Sequence, residues 1–285
     1  LSQSSARALA QDRDGFLWVG SREGLFRYDG YEATVLLSDL AAPGGASDLE
    51  VRALYEADDG ALWVGTLGGG VFRRDPLTGE FRQYGHDPAD PRSLSDPNVL
   101  DVAQDGEGNV WVTTRNGLNR LDADLEGFIR YHHVPEPVPV VGRHRVSRLL
   151  RSSEGRLWVA THGAGVDRWD AERGEFETYS PAQLTGGSPG LDLDFAIAEA
   201  RDGRLWVGTR EGLVLLDPSR REARRVKLLR DSGPEPFIAA LHVDRLGRLW
   251  IGTLTHGLMV AEPPAGDWPV VAQLTPSFVD DGSPA

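Results

Sequence analysis

One segment of sequence recurs six times along the chain, each time centred on Leu-Trp-Val-Gly-Thr or a close variant. The shared tryptophans lie 45, 48, 47, 48 and 44 residues apart, at Trp18, Trp63, Trp111, Trp158, Trp206 and Trp250. This is the period at which four short strands per repeat form the blades of a β-propeller. The repeats therefore predict an all-β propeller of six four-stranded blades, with a partial or a seven-bladed ring as the alternative.

The repeats cover nearly all of the 285 residues, which favours one domain, 1–285, over two unrelated domains. We place the blades at approximately 4–38, 49–85, 97–133, 144–180, 193–230 and 236–275. The turn that follows the strand-B Ser or Thr has two residues before its glycine in copies one, three and five, and three residues in the other copies. A ring of six blades preserves this alternation, whereas a ring of seven breaks it once.

Each copy predicts four strands, A to D, from the innermost to the outermost. Strand A is an alternating apolar stretch that ends at a hairpin glycine, such as Gly60, where a tight turn demands positive φ. Strand B carries the tryptophan, and a second glycine, such as Gly70, closes the turn into strand C. The Arg and the acid that end strand C, as in Arg27 and Asp29, are expected to be solvated or paired across strands.

The six shared tryptophans are expected to be wedges between blades, because identical placement in every repeat is what a structural role requires. The alternative is that these rings stack on sugars. Trp169 and Trp268 lie outside the shared position, and we expect them to pack at the sheet edges.

Composition excludes several classes of protein. With 43 acidic and 30 basic residues the net charge is −13, which disfavours nucleic acid as a partner. The chain contains no cysteine, which excludes disulfides and thiolate metal sites. No apolar run is long enough for a membrane span, so we expect no membrane insertion of this segment.

Ligand-binding residues are expected where the strand B to C turns and the strand D to A connections meet, at the mouth of the channel. The candidates are Arg22, Arg115, Asn116, His162, Arg210 and His256 in the turns, and Arg52, His144, Arg145 and Asp194 in the connections. In a six-bladed ring Arg22, Arg115 and Arg210 predict a three-fold cationic collar for a carboxylate or sulfate. The alternative is that each arginine is exposed and pairs with its neighbouring Glu.

No nucleophile elbow, phosphate loop or zinc signature is present, so no catalytic residue, metal or cofactor is predicted. An enzyme remains the alternative from another class. In that case His162, His256 and Glu235 are the candidates for a propeller lyase.

The segment DRDGFLWVGSREGLFRYDGY and its relatives resemble the two-component-regulator propeller repeat over about residues 6–275. That family supplies extracytoplasmic sensor portions of bacterial hybrid histidine kinases and some diguanylate cyclases. The resemblance implies a periplasmic or extracytoplasmic location and a sensing role. Its members usually carry more repeats, a β-sandwich, a membrane helix and a signalling enzyme, so this chain is expected to be either a self-sufficient six-bladed unit or a piece of a longer sensor.

The function expected from these observations is a sensor propeller of a two-component or cyclic-dinucleotide signalling protein. Its expected partner is a small polar or anionic ligand, such as a carbohydrate, at the channel mouth. A homodimer formed through downstream regions is a further expectation. Two alternatives remain open: a lyase or hydrolase acting on polysaccharide, and a structural or interaction scaffold without a small ligand.

Overall fold

The computed structural model describes residues 6–36, 50–131, 146–161, 165–180, 196–228, 235–261 and 271–274. Every regular element within these ranges is a β-strand, and the strands form six four-stranded antiparallel sheets. Each sheet takes its strands in chain order, so one sequence repeat forms one blade. The fold is the six-bladed all-β propeller that the repeats predicted.

The strand bounds follow the repeats closely. Blades 1 to 3 contain β1 (Ala8–Gln11), β2 (Leu17–Ser21), β3 (Gly24–Tyr28), β4 (Ala33–Val35), β5 (Glu50–Glu56), β6 (Leu62–Leu67), β7 (Val71–Arg74), β8 (Phe81–Tyr84), β9 (Val99–Gln104), β10 (Val110–Thr114), β11 (Gly117–Leu121) and β12 (Phe128–Tyr131). Blades 4 to 6 contain β13 (Val146–Arg151), β14 (Leu157–Thr161), β15 (Gly165–Asp170), β16 (Glu175–Tyr179), β17 (Ala196–Glu199), β18 (Leu205–Thr209), β19 (Gly212–Asp217), β20 (Glu222–Val226), β21 (Ile238–Val243), β22 (Leu249–Thr253), β23 (Leu258–Ala261) and β24 (Val271–Leu274).

Internal contacts divide the chain into two compact units. The first unit is Leu1–Thr161 together with Arg168–Glu177, and the second is His162–Asp167 together with Thr178–Ala285. Blades 1 to 3 lie in the first unit, blades 5 and 6 lie in the second, and blade 4 contributes to both.

Glycines close both turns of every repeat, as predicted. All twelve have positive φ, from 69° to 131°, a region that favours glycine. They are Gly15, Gly60, Gly108, Gly155, Gly203 and Gly247 in the A–B hairpins, and Gly24, Gly70, Gly117, Gly165, Gly212 and Gly257 in the B–C turns.

In the first unit, the strand-B tryptophans pack each blade against the following one. Trp18 of blade 1 is 2% exposed and shares a buried cluster with Val51 and Val64 of blade 2. Trp63 of blade 2 is 1% exposed and shares a second cluster with Val99 of blade 3. These rings therefore bury the faces of two adjacent sheets at once.

The next interface in the first unit contains an additional tryptophan. Trp111 of blade 3 is completely buried, and the ring of Trp169 from blade 4 packs edge-on against it with ring centroids 5.0 Å apart. Phe176 packs against Trp169 on the next strand, with ring centroids 4.8 Å apart. Trp169 is thus buried between two blades. The prediction that it packs at a sheet edge is wrong. Trp268 lies outside the described residues.

The second unit repeats this packing between blades 5 and 6. Trp206 is 8% exposed and shares a buried cluster with Ile238 and Ile251. Trp250 is the exception among the shared tryptophans, because it is only half-buried.

Strand-B glycines allow strand A of the following blade to approach closely. A Cβ atom on Gly65 would lie 2.5 Å from a methyl carbon of Val99. The equivalent distance is 2.4 Å from Gly20 to Val51 and 2.6 Å from Gly208 to Ile238. These three strand-B glycines are therefore packing residues, since a Cβ atom at Gly20, Gly65 or Gly208 would push the next strand away.

The charged residues at the end of strand C have more specific roles than solvation. The Arg27 guanidinium lies 4.7 Å from the centre of the Phe16 ring, and the Arg120 guanidinium lies 5.7 Å from that of Trp111. Asp29 accepts backbone N–H groups from Tyr31 and Glu32 at 2.8 and 2.7 Å. The arginine therefore covers an aromatic ring, and the acid closes the turn into strand D.

Candidate functional site

The B–C turns and the connections into strand A meet at one end of the blades, as expected. The N–H of Gly70 in blade 2 donates to the carbonyl of Pro97, which leads into blade 3. Arg115 N–H of blade 3 donates to the carbonyl of Asn98, the next residue of the same connection. In the second unit Leu254 N–H donates in the same way to Phe237. One connection thus contacts the turns of two successive blades in the first unit.

The Ser or Thr at or next to the end of strand B holds its turn closed. Thr66 Oγ1 donates to the carbonyl of Gly70 at 2.8 Å, and Thr209 Oγ1 donates to that of Gly212 at 2.8 Å. Thr209 Oγ1 also accepts the N–H of Glu211 at 3.0 Å. These hydroxyls fix the backbone beneath the variable turn side chains.

Three arginines converge on one carboxylate between blades 1 and 2. Glu50 Oε1 lies 2.8 Å from Arg52 Nε and 3.5 Å from Arg7 Nε. Glu50 Oε2 lies 3.8 Å from Arg22 Nε. We call these four residues the arginine cluster. Arg22 and Arg52 are predicted ligand residues that the fold brings together. The sequence pattern does not indicate Arg7 and Glu50 as members of the site.

Local backbone structure positions the arginine cluster. The N–H of Arg7 donates to the carbonyl of Gly20, which fixes the start of strand A in blade 1. Glu50 begins β5, and the pairing of β5 with β6 shifts register between Val51 and Ala53. Arg52 is the extra residue of this bulge, and bulges commonly re-aim a side chain.

Burial within the arginine cluster is uneven. The Glu50 side chain is 15% exposed, whereas those of Arg7 and Arg52 are each 40% exposed and that of Arg22 is 70% exposed. Glu50 Oε1 and Arg52 Nε are both inaccessible to solvent, and neither makes a hydrogen bond, so their 2.8 Å approach is an ion-pair contact alone. The carboxylate is therefore the covered partner, and the guanidinium groups carry the accessible N–H donors, which suit an oxyanion.

Two further predicted residues lie on the adjacent turn of blade 3 in the first unit. Arg115 and Asn116 are both exposed. Asn116 Nδ2 donates to the carbonyl of Ser95 at 3.4 Å, so its side chain braces the connection into blade 3.

In the second unit the predicted residues have partners of their own. The Arg210 guanidinium lies 5.8 Å from the centre of the Phe237 ring, and Glu211 pairs with Arg225 at 3.1 Å. His256 Nδ1 lies 2.8 Å from Thr255 Oγ1.

Of the lyase candidates, Glu235 accepts the backbone N–H of Leu228 through Oε2 at 2.9 Å. The predicted residues His144, Arg145, His162 and Asp194 lie outside the described residues. The three-fold collar stays a prediction, because Arg22 and Arg115 belong to the first compact unit and Arg210 to the second.

The described ranges contain no group of three or more His, Cys, Asp or Glu side chains arranged to hold a metal ion. Nor do they contain a helix long and apolar enough to cross a membrane.

Solved structures share the fold. An extracellular domain described as part of a hybrid two-component system of B. thetaiotaomicron is 22% identical, with a TM-score of 0.70 over 91% of this chain. The match covers 34% of that domain, so the chain spans about a third of its length.

Two other similar structures have different roles. A catalytically inactive virginiamycin B lyase of Staphylococcus aureus with quinupristin is 14% identical, with a TM-score of 0.72 over 98% of this chain and 87% of the lyase. PorZ, a surface component of the type-IX secretion system of Porphyromonas gingivalis, is 19% identical, with a TM-score of 0.67 over 91% of this chain and 40% of PorZ. At these identities the likeness shows the fold alone.

No curated protein matches the chain. The family model described as two component regulator propeller matches it at residues 1–23, 45–68, 93–116 and 195–211. These segments contain the A–B hairpins or strand-B residues of four blades, including Gly20 and Thr66. Four of the six sequence repeats are therefore similar to the two component regulator propeller repeat.

Proposed function

We propose that this chain is an extracytoplasmic sensor propeller of a bacterial signalling receptor, and that it binds a small anionic ligand at the arginine cluster. The family of its repeats supports the receptor class. The extracellular placement of similar domains in hybrid two-component systems supports the location. The proposed class of receptor includes both two-component receptors and receptors that signal through a cyclic dinucleotide.

The observation that carries the ligand assignment is the convergence of Arg7, Arg22 and Arg52 on Glu50. Guanidinium groups bind carboxylate and sulfate through paired N–H donors, so an acidic or sulfated sugar suits this site. The surrounding protein carries a net charge of −13. Attraction of an anion to this site therefore depends on local positive charge, and binding should weaken as salt screens that attraction.

Catalysis is not part of the proposal. The lyase with a similar fold is 14% identical, and this likeness carries no residue of its chemistry to this chain. Glu235 and His256, two of the three lyase candidates, have the local partners described above.

Calorimetric titration with uronic-acid and sulfated oligosaccharides, alongside neutral oligosaccharides of matched length, tests the proposal. We expect the anionic sugars to bind and the neutral sugars not to bind. Arg22→Gln and Arg52→Gln should each weaken binding about ten-fold, the equivalent of one charged hydrogen bond. Arg82→Gln is the matched control, because Arg82 pairs with Glu126 at 2.7 Å away from the cluster.

Equal binding of neutral and anionic sugars would contradict the site, as would unchanged affinity in both arginine variants. Uniformly absent heat with a folded sample would favour the interaction scaffold instead. Light scattering at two salt concentrations would then test for self-association.

A further inference from the structure

We propose that the arginine cluster selects dianions, and that Glu50 acts in it as a built-in competing carboxylate. This inference rests on the proposed function, since it names the charge class of the ligand that the same site takes. Three features of the cluster support it. They are the guanidinium atoms that contact Glu50, the surplus of positive charge, and the low solvent exposure of the Glu50 side chain.

The first feature is that Glu50 contacts each guanidinium through Nε. The closest approach is 2.8 Å for Arg52, 3.5 Å for Arg7 and 3.8 Å for Arg22. Each arginine also has two terminal Nη atoms with four N–H donors. Among the described residues, no other carboxylate forms an ion pair with these three side chains. The terminal donors therefore remain for a ligand.

The second feature is the charge balance. Three guanidinium charges face one carboxylate, and three minus one leaves two positive charges in the described part of the site. A ligand with two negative charges neutralises this surplus, whereas a ligand with one leaves a cation without its counter-charge. Neutralising both charges strengthens the attraction, because each pairing at a partly exposed surface adds a Coulomb contribution.

The third feature is the covered position of Glu50. At 15% exposure it holds the arginines from the protein side, and it competes for the same cations as an incoming anion. Removing its charge without changing its shape should therefore strengthen anion binding. If Glu50 served only to order the arginines, the same change would weaken binding.

Succinate and succinamate form a matched pair of probes, because they share a carbon chain and differ by one carboxylate. In calorimetry at neutral pH and low salt, we expect succinate to bind the whole chain about ten-fold more tightly than succinamate. Glu50→Gln should tighten succinate binding several-fold. Arg22→Gln should reduce the preference for succinate. Glu126→Gln, a carboxylate paired with Arg82, is the control and should change neither affinity.

Thermal unfolding of each variant identifies any loss of fold, and the comparison of the two probes on the unaltered chain needs no variant. Equal affinity for succinate and succinamate would overturn dianion selection. Weaker succinate binding by a folded Glu50→Gln variant would overturn the competing role of Glu50. Failure of every anion to bind would defeat the proposed function as well, so the two failures are distinguishable.

Discussion

Asp105 accepts the indole N–H of Trp111 through Oδ2 at 2.8 Å, in the hairpin that leads into the tryptophan strand. Its Oδ1 accepts the backbone N–H groups of Glu107 and Asn109 at 3.0 and 2.9 Å. One carboxylate thus closes the turn and satisfies a buried donor of the inter-blade ring. The same bond joins Asp12 to Trp18 at 2.7 Å.

Replacing Asp105 with alanine should destabilise the protein by about 1–3 kcal/mol, because the buried Trp111 N–H loses its acceptor and the turn loses its cap. Urea denaturation followed by tryptophan fluorescence measures this loss. Asp14→Ala is the control, since Asp14 is exposed in the equivalent hairpin of blade 1. Equal stability of the two variants would contradict the role of Asp105.

Replacing a tryptophan with alanine should lower the free energy of unfolding most where the indole ring is fully buried. Trp63→Ala is expected to destabilise the fold by about 3–5 kcal/mol, as large cavities in cores do. Trp250→Ala should cost less, because Trp250 is only half-buried whereas Trp63 is 1% exposed. Denaturation midpoints of the two variants should differ in this order, and the reverse order would be inconsistent with the packing described.

The hairpins of blades 3 and 4 meet through backbone atoms at two glycines. A Cβ atom on Gly106 would lie 2.8 Å from the carbonyl oxygen of Gly155, which also accepts the Gly106 N–H. Gly106→Ala should therefore cost about 1–3 kcal/mol, the usual penalty for overpacking. Gly85→Ala is the control, because nothing lies within 4 Å of its added methyl group. Equal unfolding temperatures of the two variants would contradict the close approach of Gly106 to Gly155.

Acid should destabilise the fold through its turn aspartates. The pKa of Asp244 is lowered, first by the hydrogen bond from Trp250, and the pKa of Asp29 is lowered, first by the backbone N–H of Glu32. Groups with a lowered folded pKa stabilise the protein above the unfolded value, about 3.9 for Asp, and lose that contribution as the pH falls below it.

Burial raises the pKa of Asp101, so its ionised form opposes stability and acts in the other direction. The turn aspartates outnumber it, since the pKa values of Asp75 and Asp217 are lowered as well. The unfolding temperature should therefore fall below about pH 4. Melting curves over a pH series measure this dependence, and a stability that rises into acid would contradict it.

The sequence predicts much of this fold because the determinants are local and repeated. Hairpin glycines such as Gly60 and the spacing of Trp63 and its equivalents each recur in every blade. Contacts between side chains of different blades are harder to predict from the sequence, because no repeat pattern links the positions that meet. The position of Trp169 on Trp111 is one such contact, between residues 58 positions apart.

The candidate site shows the same limit. Arg22 and Arg52 can be identified from the sequence because the residue at each of their positions, in a B–C turn and in a connection into strand A, differs between repeats. Glu50 precedes Arg52 by two residues, a spacing that places both on one face of a regular strand, but the bulge at Arg52 is not visible in sequence. Arg7 joins the cluster only through the packing of blade 1 on blade 2.

A crystal structure grown in selenate tests the arginine cluster most directly, because selenium marks a dianion by anomalous scattering. We predict a selenium peak within hydrogen-bond distance of the Arg22 and Arg52 guanidinium groups, and its loss in an Arg22→Gln, Arg52→Gln double variant. Peaks confined to other surfaces, with the cluster closed on Glu50 alone, would contradict an anion site between blades 1 and 2.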